Sequence, residues 1–126
     1  MAHEIIVDID RGLIEVRYRG PVVVAERERA LEHVSRLAEQ TGLRGVLINF
    51  SNAQAAAEGF ESGNRFAAQL ARDPVLRDCR VAYLAIDALQ VNPIVEALAS
   101  ARRFPLRRFA SRVAAIEWLR DVADTE

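Results

Sequence analysis

Cysteine is nearly absent: Cys79 stands alone. An intrachain disulfide is therefore excluded, and a reducing compartment fits. Histidine is as scarce, with His3 and His33 only, and neither has a second ligand at metal-binding spacing. An excess of charge is missing too. The 17 basic and 18 acidic residues leave a net charge of −1, which removes the bulk electrostatic reason to bind nucleic acid or a membrane surface. No apolar run approaches the roughly 20 residues of a membrane span. No basic segment followed by an apolar run opens the chain. No signal peptide is expected, and a cytoplasmic location is the default. Gly-x-Ser-x-Gly elbows, phosphate loops and dinucleotide fingerprints do not occur. Support for an enzyme goes with them, and no cofactor is expected. There is no internal repeat, linker or low-complexity segment.

What is present is an ordinary globular composition. Of 126 residues, 51% are hydrophobic and 28% charged, enough for one domain with a core of its own. The organising stretch is Gly45-Val46-Leu47-Ile48-Asn49-Phe50-Ser51-Asn52. It predicts a central strand buried on both faces and closed by a polar pair.

Ile5, Val7 and Ile9, then Ile14, Val16 and Tyr18, recur with period two across Asp10-Arg11-Gly12. That predicts an antiparallel hairpin. Its charged face, with Glu15, Arg17 and Arg19, is expected to stay wet, and Gly20-Pro21 to end its second strand. Ala30, Leu31, Val34, Leu37 and Ala38 form the stripe of a helix over 22–41. Gly42 sits where a left-handed residue ends such a helix. Residues 53–57 read equally as a loop or a helical turn. A helix over about 59–72 stops at Asp73-Pro74. Val81–Ile86 is a second buried strand. Asn92-Pro93 starts a helix with Ile94, Val95, Leu98 and Ala101 inward. Leu106–Phe109 is a short strand. Ser111 caps a last helix, with Val113, Ile116, Leu119 and Val122 inward and Trp118 on its flank. The order is β-β-α-β-α-β-α-β-α, an α/β domain with a mixed sheet of about five strands.

The hairpin, the helix leading into Gly45–Phe50, and the ending Arg108-Phe109-Ala110-Ser111-Arg112-Val113-Ala114-Ala115-Ile116-Glu117-Trp118-Leu119 resemble the STAS domain superfamily, SpoIIAA-like group. That group is related in shape to the CRAL-TRIO lipid-binding domain. The resemblance covers nearly the whole chain. It implies helices mainly on one face of the sheet and a non-enzymatic module that binds another protein, in a regulatory role. The CRAL-TRIO likeness implies an alternative, a carrier of a small apolar or lipid-like ligand. Antagonists of the group carry a phosphorylated Ser in Asp-Ser-Ser/Thr-Gly. The nearest match is Phe60-Glu61-Ser62-Gly63, which makes Ser62 the candidate phosphosite. Glu61 replaces the Asp and one hydroxyl residue is missing, so no specific phosphorylation of Ser62 is expected.

Ligands of open α/β sheets bind outside the carboxyl ends of the strands. That places Ser51, Asn52, Asp87, Gln90 and Asn92 as candidate ligand- or partner-binding residues. Turn and capping chemistry explains the same residues without a ligand. Cys79 reads as a packing residue, His33 as a surface one, and His3 as part of a frayed terminus. Arg102, Arg103, Arg107 and Arg108, with Phe104 and Phe109, are the one basic cluster. It is too small for a nucleic-acid groove but suits an acidic partner or a lipid headgroup. Strands apolar on both faces need two covers. Either residues 53–58 fold over the second face or a second subunit does, and a homodimer is the expectation.

Overall fold

A computed structural model describes residues 3–56, 58, 60–86, 97, 100, 101 and 103–124. β1 (His3–Asp8) and β2 (Leu13–Val22) pair antiparallel, with Ile5 opposite Val16 and Val7 opposite Ile14. Gly12 turns the hairpin at φ 70°, in the left-handed region a residue without Cβ enters freely. β3 (Gly45–Ala55), β4 (Arg80–Leu84) and β5 (Leu106–Phe109) follow, each parallel to the strand before it. Spatial order equals chain order across the five-stranded sheet.

That order decides where the helices go. Each new parallel strand joins on the same side of the last, so right-handed crossovers put their helices on one face. α1 (Val24–Thr41), α2 (Phe60–Arg72) and the one-turn α3 (Pro74–Arg77) share that face. They bury Ile14, Val16, Tyr18, Val46, Ile48, Phe50, Val81 and Tyr83 of the sheet under Leu31, Val34, Phe66, Leu70 and Leu76. α4 (Arg112–Asp124) joins no pair of strands and packs on the opposite face. There Ala115 and Leu119 cover Leu13, Leu47, Ala82 and Leu84. Among the described residues no helix is long and apolar enough to cross a membrane.

Local chemistry sets the helix ends. Gly42 ends α1 at φ 79°, and its N–H donates to Ala38 O at 2.9 Å. The start of α1 has no cap of its own at Val23; the Val24 N–H donates instead to the Glu58 carboxylate at 2.7 Å. Ser111 Oγ accepts from the Ala114 N–H at 3.3 Å, the expected cap of α4. Asp73 accepts from the N–H groups of Val75 and Leu76 and so starts α3, where the sequence predicts only a stop.

Several expectations are corrected here. Three of the four helices with described bounds share one face, as expected, but the other face is not bare, because α4 covers it. That removes the premise for covering it with residues 53–58 or with a second subunit. Residues 53–55 are neither loop nor helical turn; they extend β3 beside Gly20–Val22. Gly20-Pro21 does not end β2, since pairing runs to Val22. β4 stops at Leu84, and Ile86 is exposed. Val113 points to solvent at 66% exposure, and Ala115 takes the inward place. His3 is not frayed: its ring nitrogen bonds the Glu26 carboxylate on α1. The helix predicted from Asn92-Pro93 lies largely outside the described residues.

Arg27 is the other surprise. It is 1% exposed on α1, and its guanidinium lies over the rings of Phe66 (4.4 Å), Phe50 (5.3 Å) and Tyr83 (5.5 Å). Its Nη2 donates to Tyr83 Oη at 2.5 Å, while Nη1 has no hydrogen-bond partner among the described residues. Aromatic faces stabilise the charge by their quadrupoles.

Leu47 is fully buried under α4. Leu47→Ala is expected to destabilise by roughly 2–5 kcal/mol, as large-to-small changes in packed interiors do. Urea melts check this. A loss well under about 1 kcal/mol would mean that α4 does not seal this face.

Candidate functional site

Glu15 is where the polar residues converge. It sits on β2, on the α4 face, between Leu13 and Arg17, and is 2% exposed. A buried carboxylate is costly unless it is paired and hydrogen-bonded. Here Arg112, the first residue of α4, grips it with both terminal nitrogens, Nη2 to Oε1 at 2.6 Å and Nη1 to Oε2 at 3.1 Å. Arg17 Nε donates to Oε2 at 2.8 Å, and Asn49 Nδ2 at 3.2 Å. Burial alone would raise the carboxyl pKa. The hydrogen bonds from Arg112, Arg17 and Asn49 outweigh it and bring the value down to about 2. The wet charged face expected of the hairpin is thus roofed at Glu15 and open beyond it.

The open part is a cleft of about 190 Å³ lined by Arg17, Tyr18, Arg19, Asn49 and Asn52. An irregularity in the β2–β3 pairing shapes it. Arg17 stands opposite Asn49 but Arg19 opposite Asn52, so β3 carries one extra residue there. Asn49 Oδ1 accepts from the Ser51 N–H at 2.9 Å and from its hydroxyl at 2.6 Å, inside the bulge. The same amide donates its Nδ2 to Glu15, so Asn49 is held from both ends. Arg17 has its Nε committed to Glu15, with 45% of its side chain exposed. Arg19 and Asn52 are exposed. Among the described residues, neither side chain takes part in a hydrogen bond or ion pair.

Of the five candidate residues, Ser51 and Asn52 are placed together, though within β3 and not at its end. Asp87, Gln90 and Asn92 lie outside the described residues. Ser62 is half-buried in the first turn of α2. Arg107 and Arg108 do not form one patch, because consecutive β5 residues pair with Ala82 and Tyr83, which belong to the cores on opposite faces. Cys79 is buried, its thiol donates to Val75 O at 3.3 Å, and burial pushes its pKa up to about 11. It is a packing group, since the thiolate is the nucleophile. Glu15, Arg17, Arg19, Asn49 and Arg112 are the residues that the strand-end rule passed over. Every basic residue of the chain is an arginine, the side chain whose planar fork matches an oxyanion. No family model matches the chain, and no curated protein does.

Glu15 makes stability depend on acid. Its folded pKa of about 2 lies below the ordinary 4.5, so its contribution is present above pH 4.5 and fades as pH falls toward 2. That shift corresponds to roughly 3 kcal/mol. Glu15→Gln is expected to lower stability by roughly 1–3 kcal/mol at pH 7 and to flatten the pH dependence in that window. Urea melts of both proteins at several pH values check it. Identical pH slopes would assign the acid sensitivity to other carboxylates.

Proposed function

We propose that the chain is a non-enzymatic, STAS-like binding module that docks a partner protein in a regulatory role. The element order and the five-stranded mixed sheet support the STAS-like reading. The cleft carries the docking reading. Glu15 pre-orients Arg17 and Asn49, while Arg19 and Asn52 stand exposed beside them. Prearranged donors lose little freedom on binding. Nothing about them suggests a reaction, for Glu15 is already saturated with donors and is too weak a base at neutral pH.

Size favours a macromolecular partner. Sites for whole small molecules usually span about 300–1,000 Å³ and are mostly apolar. This cleft is smaller, about 190 Å³, and its lining is mainly Arg and Asn. It suits one anchoring group of a larger surface. For the same reason the carrier of an apolar ligand is the weaker reading.

A photo-reactive residue in place of Asn52 is expected to cross-link one discrete protein in the native host. The same residue in place of the exposed His33 on α1 serves as the control. Equal labelling from both positions would reject docking at the cleft. A small apolar molecule retained in the native mass spectrum would replace the partner with a cargo.

A further inference from the structure

Resting on that docking reading, we infer that the cleft recognises a carboxylate side chain in an acidic segment of the partner. The chemistry is local. Arg17 spends its Nε on Glu15, which leaves its terminal nitrogens for a ligand. Arg19, two residues along β2, lines the same cleft with no described partner. Two arginines lining one small cavity, one of them fixed by a buried carboxylate, can supply a receptor for one oxyanion. Asn52, exposed beside them, offers both an amide donor and an acceptor, which suits the peptide backbone flanking that oxyanion.

The rest of the chain narrows the partner. Its basic and acidic residues nearly cancel, at 17 against 18, so no bulk positive charge favours a phosphate backbone. Arg17 and Arg19 bring two positive charges to this cleft. Glu15 keeps its own charge there at neutral pH, since its pKa is about 2. The cluster Glu15, Arg17, Arg19 and Arg112 therefore carries two net positive charges, enough to hold one or two carboxylates of an acidic segment and too few to follow a nucleic-acid backbone. Salt should weaken the contact, because Arg17 and Arg19 remain partly in water.

The test is a titration of the isotope-labelled full chain with a blocked peptide of six glutamates, followed by NMR of arginine Nε–H and asparagine side-chain signals. Saturable shifts are expected at Arg17, Arg19, Asn49 and Asn52, with none from a peptide of six glutamines. Arg19→Gln should weaken binding at least about tenfold, while Arg36→Gln, at an exposed site on α1, should leave it unchanged. Arg19 is exposed, so its loss should leave folding intact, and the unchanged spectrum of the remaining core shows it. Equal affinity of Arg19→Gln and wild type overturns the inference. So do shifts centred elsewhere, the absence of shifts, or saturation by inorganic phosphate without saturation by the peptide. A partner cross-linked at position 52 alongside a silent peptide titration would reject acidic recognition and keep the docking site. Failure of both would reject the docking site itself.

Discussion

The carboxylate of Glu15 is the constraint on which one whole face of the molecule depends. It lies between the sheet and the helix that roofs it, and three donors from three places meet on it: Arg112 from α4, Arg17 from β2 and Asn49 from β3. A buried ion without such partners would cost several kcal/mol. With them it fixes where α4 begins, and so which strand residues are covered. It also sets the orientation of two cleft side chains. Structure and candidate function therefore hang on one group, and loosening it should disturb both.

The opposite face solves the reverse problem by other means. Arg27 is a buried cation with no described carboxylate, held by the rings of Phe50, Phe66 and Tyr83 and one phenol oxygen. Tyr18 stacks on Phe50 at 5.0 Å and extends the aromatic row toward His3. Burial also pushes the Tyr18 phenol pKa well above its ordinary value, so it stays neutral beside the cation. One side of the sheet thus buries an anion with hydrogen bonds, and the other a cation with π faces.

Much of this was legible in the sequence where a local rule applies. The α1 stripe, the Gly42 terminus, the Ser111 cap and the central run 45–50 each follow from spacing or capping chemistry. What was missed depends on what lies opposite a residue. Period two says that Leu13, Glu15 and Arg17 share a face, but not that a helix nearly a hundred residues later will cover the first two and spare the third. Arg27 sat on the stripe of Leu31, Val34 and Ala38 all along; its charge argued against burial, and only Phe50, Phe66 and Tyr83 reverse that. Residues 53–55 are small or polar with no strand preference, so their pairing with Gly20–Val22 had no local signal. The strand-end rule looked for a site in the loops. In a sheet whose spatial order never reverses there is no switch-point crevice to host one.

The position of the cleft follows instead from lengths. α4 has 13 residues, which at 1.5 Å per residue span about 20 Å. β3 has 11 residues, and at about 3.3 Å each it runs about 36 Å. A helix of that length cannot roof such a strand from end to end. α4 starts at Arg112 above Glu15 and runs back to where the Trp118 carbonyl accepts from Arg80, at the beginning of β4. Among the described residues, the part of this face left uncovered by α4 is the carboxyl-terminal half of β2 and β3. There the side chains on this face change from Leu13 and Leu47 to Arg17, Asn49, Arg19 and Asn52. The change from apolar to polar falls where the roof ends, and Glu15 with Arg112 marks the seam. The bulge in β3 falls just past that seam, beside the residues that line the open end.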